Sequence, residues 1–80
     1  MNVDKIEKEI MSIISDISGF DIEEINLDTK LADQLEIDSI KAIEIVVAIE
    51  KKYKILIRDE DVPKIITVRE AVDLVNKLVR

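Results

Sequence analysis

Four groups in this sequence have the chemistry to act on, or be acted on by, another molecule: carboxylates, lysines, hydroxyls and the Tyr53 phenol. Cysteine and histidine are absent from the 80 residues. Their absence argues against a zinc site and against a Ser–His or Cys–His nucleophile pair. Among the hydroxyls, Ser39 stands out by its place. It lies between Asp38 and Ile40, where a polar, acid-rich stretch gives way to an apolar helical one. A serine there either caps a helix, alone or with Asp38, or serves as a handle to which another group is attached. The triplet by itself leaves both readings open. A further acidic run, Asp59-Glu60-Asp61, lacks the oxygen-ligand spacing and loop glycine of a calcium site.

The composition narrows the partners. Acidic residues number 18 against 12 basic ones, a net charge of −6. Such a chain is repelled at long range by nucleic acid and by anionic membrane. Without a signal-like apolar run near Met1 or a window of membrane-spanning length, a cytoplasmic protein with no membrane insertion is expected. The length predicts a single domain over residues 1–80, with a core made almost entirely of aliphatic side chains.

Helices must position Ser39. Ile6, Ile10, Ile13, Ile14 and Ile17 repeat at helical spacing, with Asn2 or Asp4 as start caps and Gly19 as the stop. Residues 20–38 read as a long loop pinned by seven apolar side chains from Phe20 to Ile37. A short turn is expected around Ile22–Ile25, and another around 30–35 capped by Thr29. A second long helix runs from Ser39 to about Lys52. Ala42, Ile45, Val46 and Ile49 form one apolar face, and Ile40, Ile43 and Val47 a second beside Glu44. Periodicity slightly favours a helix covered on two sides over one that leaves the second stripe exposed. The stretch Tyr53–Arg58 reads as a loop with Ile55 and Ile57 buried. Asp59 is expected to cap a short helical turn that has Pro63 early in it. Thr67 and Glu70 have the spacing of a capping box for the last helix, whose buried face is read as Ala71, Leu74, Val75 and Leu78. The fold class is therefore all-α: three long helices and one short one, with a long loop between the first and second long helices.

The pattern as a whole resembles the acyl carrier proteins, the family whose serine bears a 4′-phosphopantetheine arm. The resemblance rests on Leu31 and Leu35, Asp38-Ser39-Ile40, Ile43-Glu44-Ile45 and Ala48-Ile49-Glu50. It continues through Tyr53, Ile55-Leu56-Ile57, Asp59-Glu60-Asp61 and Ile65-Ile66-Thr67-Val68. It implies a four-helix bundle of acyl-carrier type and a covalent 4′-phosphopantetheine on Ser39, with Asp38 beside it. It also implies a non-catalytic, monomeric carrier, a phosphoprotein by its modification, in fatty-acid, polyketide or related lipid metabolism. A phosphopantetheinyl transferase would load it, and acyl-transfer and acyl-modifying enzymes would use it. By the same resemblance Ile40, Lys41, Ile43, Glu44 and Val47 would contact partners, and Val46, Ile49, Ile57, Ile65 and Ala71 would line an acyl pocket. The alternative is a small helical adaptor in which Ser39 only caps.

Two features depart from the family pattern. Glu36 stands where the family very often has glycine. Lys41, Lys51, Lys52 and Lys54 stand where many fatty-acid carriers are acidic. Residues 39–58 carry a net +3, whereas residues 21–38 carry −6. The acidity precedes the serine instead of following it, which points to a specialised carrier rather than a housekeeping one.

Overall fold

A computed structural model describes the backbone of residues 3–79 and the side chains of residues 5–79. Four α-helices are present among them: α1 (Val3–Ser18), α2 (Leu31–Leu35), α3 (Ser39–Tyr53) and α4 (Val68–Leu78). Two 3-10 turns, Ile22–Glu24 and Asp59–Lys64, interrupt the connections, and no strand is found among the described residues. The all-α expectation of three long helices and one short one holds, with α2 as the short α-helix and the turn expected after Asp59 taking 3-10 form.

Ile6, Ile10 and Ile14, four residues apart, are buried along one stripe of α1, while Ile13 and Ile17 pack half-buried beside them. The start caps expected at Asn2 and Asp4 lie outside the described side chains. At its other end Gly19 takes a left-handed φ of 81°, and its N–H reaches the Ser15 carbonyl at 3.0 Å. That conformation favours glycine and stops the helix. α1 packs against both α3 and α4, whereas α3 and α4 meet each other far less.

The loop after α1 is anchored, not loose. Ile25, Leu31, Leu35 and Ile37 are buried. Leu31 N–H donates to the Ile66 carbonyl, and the Val68 and Arg69 N–H groups donate back to the Thr29 and Leu27 carbonyls. Together these bonds fasten the loop to the entrance of α4. Arg69 also pairs with Asp28 at 3.1 Å. Thr29 does not cap α2 as expected. It is buried, and its hydroxyl accepts the Asn26 N–H at 2.9 Å, closing the turn before the helix. The helix begins after Lys30, whose N–H is taken by the Gln34 side chain.

The segment after α3 is a loop, with Ile57 buried and Ile55 half-buried. Glu50 holds it, accepting the Ile57 N–H at 2.8 Å. The cap expected at Asp59 falls instead to the Arg58 position, without a side-chain bond. Pro63 sits late in the 3-10 segment, directly after Val62. The Val62 carbonyl accepts the Ile65 N–H, so proline occupies a turn position where no N–H is required. At α4 the Thr67–Glu70 capping box is present: Thr67 Oγ1 accepts the Glu70 N–H, and Glu70 accepts the Thr67 N–H at 2.9 Å. Bonds from the Thr67 and Ile66 backbone hold the Glu70 carboxyl below its ordinary value. The buried face of α4 is rotated from the expected one, to Val68, Ala71, Val72 and Val75. Leu74 and Leu78 are only partly covered.

A side-chain bond ties α1 to the end of α3. The Tyr53 hydroxyl donates to Glu9 Oε1 at 2.7 Å, and Lys52 lies 3.6 Å from the same carboxylate. The phenol's hydrogen bond draws the Glu9 pKa down, while burial and the neighbouring carboxylate push Tyr53 up.

Candidate functional site

The start of α3 decides what Ser39 is free to do. Asp38 is the residue that caps. Its backbone is extended (φ −88°, ψ −175°), and its Oδ1 accepts the Lys41 N–H at 2.9 Å. Ser39 is therefore the first residue within the helix, exposed, with its hydroxyl unengaged. Of the seven hydroxyl groups in the sequence, those of Ser15, Ser18, Thr29, Thr67 and Tyr53 are in hydrogen bonds. That leaves Ser12, in the middle of α1, and Ser39. Only Ser39 lies at a helix N-terminus, where unpaired N–H groups and the helix dipole favour a negatively charged substituent such as a phosphodiester.

The turn that presents Ser39 is built in three steps. Leu35 and Ile37 are buried and fix the chain on either side of Glu36. Glu36 then turns the backbone through a left-handed conformation (φ 55°, ψ 37°) at the end of α2. The Ile37 N–H returns to the Leu31 carbonyl at 3.1 Å. Asp38 and Ser39 follow, projecting from this anchored corner.

A cavity of about 480 Å³ opens beside the serine. That volume falls within the ~300–1,000 Å³ of ordinary small-molecule pockets. Asp38 and Ser39 border it. Ala42, Val46 and Ile49 of α3 form one wall, and Ile65 and Ala71 the opposite one. Four of the five side chains expected to line a pocket (Val46, Ile49, Ile65 and Ala71) thus share this space. Ile57, the fifth, is buried but does not border it. It belongs to the general core. The sparse contact between α3 and α4 leaves this room.

The second apolar stripe of α3, which meets the cavity at Ile43, is uncovered. Ile40 is 70% exposed, Ile43 59% and Val47 39%, with Glu44 exposed among them. The expectation from periodicity, a helix covered on two sides, does not hold, because no element among the described residues covers this face. Lys41 is half-buried beside the stripe. Three further apolar residues not read as exposed in the sequence are so in the structure: Leu56, Ile66 and Ile22, the last expected to help pin the loop after α1. Leu56 had a signal: in an extended segment alternate side chains point opposite ways, so burying Ile55 and Ile57 turns Leu56 outward.

Comparison with known proteins gives a consistent result. A family model described as a phosphopantetheine attachment site matches residues 8–75. The acyl carrier protein of Rickettsia bellii (strain RML369-C) is 36% identical over 75 residues, covering 94% of this chain and 87% of that protein. The acyl carrier protein of Buchnera aphidicola subsp. Schizaphis graminum is 36% identical over 74 residues, covering 92% of this chain and 94% of that protein. Among solved structures, the apo doublet acyl carrier protein from prodigiosin biosynthesis superposes with a TM-score of 0.81 at 20% identity. The match covers 94% of this chain and 36% of that longer one, and at this identity the likeness is one of fold.

Proposed function

The chain belongs to the phosphopantetheine-attachment family of acyl carrier proteins, and from that premise we propose that Ser39 is the residue that carries its covalent 4′-phosphopantetheine arm. One observation carries the assignment: Asp38 performs the capping, so the Ser39 hydroxyl stands exposed and unbonded at the helix N-terminus. In the attachment, Ser39 Oγ becomes the ester oxygen of a phosphodiester with the phosphopantetheinyl half of coenzyme A. The adenosine bisphosphate half leaves, and a transferase takes the hydroxyl proton. The arm supplies the thiol that this cysteine-free sequence lacks, and acyl groups are held on it as thioesters.

The chain's own residues position and shelter; they do not catalyse. Asp38, Ile37 and the Glu36 corner fix the direction of attachment. The cavity between α3 and α4 receives the acyl chain against Val46, Ile49, Ile65 and Ala71. Ile40, Ile43, Glu44 and Val47, with Lys41 alongside, meet the transferase and the acyl-handling enzymes. Lys41, Lys51 and Lys52 on α3 disfavour partners that present basic patches, which supports a carrier dedicated to a specialised acyl pathway. The single domain over 1–80 is sufficient for this role. The adaptor alternative needed Ser39 as the cap, and Asp38 holds that position.

Incubation with coenzyme A and a broad-specificity phosphopantetheinyl transferase, followed by proteolysis and tandem mass spectrometry, tests the assignment. The added group is expected on the peptide containing Ser39; its appearance on another residue contradicts the proposal.

A further inference from the structure

The uncovered face of α3 does not end with its apolar stripe. Ile40, Glu44, Val47 and Lys51 follow one another at steps of four, three and four, so they share one side of the helix, and Lys54 follows as its C-cap. Ile40 and Val47 flank Glu44 on the helix's first two turns, and its end is basic. Lys52, on a neighbouring line, is paired with Glu9, and Arg58 with Glu60 and Asp61. Lys51 and Lys54 are exposed and have no acidic partner among the described residues. Just beyond them Leu56 is 79% exposed, the most open large apolar side chain described. Loop and helix hold it there: the Lys54 N–H and Ile55 N–H both bond the Glu50 carbonyl, and Glu50 also fixes Ile57.

Favourable interaction with the helix dipole accounts for a base in the last turn. It does not account for an exposed leucine beside it. Nor does it account for a lysine at position 54, where the left-handed backbone (φ 55°) favours glycine. An exposed apolar side chain that follows two unpaired cations by five and two residues, in a chain of net charge −6, is a local inversion of the molecule's charge pattern.

We propose that Lys51, Lys54 and Leu56 form a second docking anchor, about 18 Å along α3 from Ser39 by helix rise, which engages an acidic protein surface with an apolar socket. This rests on the carrier reading, since the partner is the enzyme that the arm must reach. The acidic end of the site (Glu36 and Asp38) and the basic end (Lys51 and Lys54) then fix the orientation in which that enzyme docks, with its carboxylates away from its arm entrance.

The test uses the full chain in its phosphopantetheinylated form, isotopically labelled, and two synthetic amphipathic helical peptides with identical leucine faces. One carries glutamates on its polar face and the other lysines. Backbone amide shifts are expected to move at residues 47–56 with the acidic peptide only, and the effect should fade with added salt. Lys51→Glu/Lys54→Glu should weaken this binding at least about tenfold, and Leu56→Ser several-fold. Lys8→Glu/Lys77→Glu, with the same change in net charge elsewhere, should not. Absence of preference for the acidic peptide, shifts mapping elsewhere, or equal loss in the Lys8/Lys77 control overturns the proposal. Mass gain on conversion of the unmodified chain, and of Ser39→Ala, with coenzyme A and transferase reports separately on attachment at Ser39.

Discussion

Asp38 Oδ1 accepts the backbone N–H of Lys41 at 2.9 Å, placing the cap of α3 one residue before Ser39. Structure and attachment are thereby divided between two neighbouring side chains. Asp38→Ala removes the cap and should cost about 1 kcal/mol in stability. Ser39→Ala removes only an unbonded exposed hydroxyl and should change stability by less than ~0.5 kcal/mol. Urea unfolding of both variants checks this; equal losses would mean that the serine shares the capping.

Glu36 turns the corner before the site with a left-handed backbone. A non-glycine residue there is strained by roughly 1–2 kcal/mol, partly offset by the greater freedom glycine has when unfolded. Glu36→Gly should therefore raise stability by about 0.5–1 kcal/mol. The denaturation midpoint should move up with an unchanged slope. A lower midpoint would show that the Glu36 side chain contributes more than the backbone strain it imposes.

The Tyr53–Glu9 bond makes stability depend on pH at both ends of the range. Glu9 has its carboxyl held below its ordinary 4.5, so its contribution is present above that value and is lost as pH falls through the lower, folded value. Tyr53 is shifted up from 10.0. Its contribution is present below pH 10 and is lost as pH rises through the higher folded value. Thermal unfolding of Tyr53→Phe should give a lower Tm than the parent near neutrality, with the gap closing toward pH 3. A gap independent of pH over the acid range would contradict the linkage.

Val46 projects from α3 into the cavity beside Ser39. Filling that space with Val46→Phe should exclude an acyl chain. Octanoylation of the arm in the parent is expected to shift the amides of Ile49, Ile65 and Ala71, and in the variant these shifts should fall to less than about half. Unchanged shifts in the variant would place the acyl chain elsewhere. Ile57→Ala offers a contrast, since Ile57 is core and does not border the cavity. It should cost ~2–5 kcal/mol in stability.

Much of this architecture was legible where one physical rule acts alone. The isoleucine period of α1, glycine at position 19 and the Thr67–Glu70 spacing each specify one conformation, and each is found. Reading failed where two residues could satisfy the same rule. Asp38 and Ser39 both belong to capping residue types, and only the extended backbone at 38 assigns the role. Thr29 and Asp59 were expected as caps for the same reason. Thr29 is instead drawn into the core, and the turn at 59 begins one residue earlier. On α4 two apolar stripes fit the helical period, and packing against α1 selects the one that includes Val68 and Val72. Exposure of Ile40, Ile43 and Val47 was beyond the period as well, because it depends on which neighbours are missing.

Intact mass after incubation with coenzyme A and a broad-specificity phosphopantetheinyl transferase tests the central claim most directly. The parent and Ser12→Ala should each gain one phosphopantetheinyl group, and Ser39→Ala should gain none while unfolding like the parent. A gain that persists in Ser39→Ala, or no gain in the parent, would contradict the assignment of Ser39 as the attachment residue.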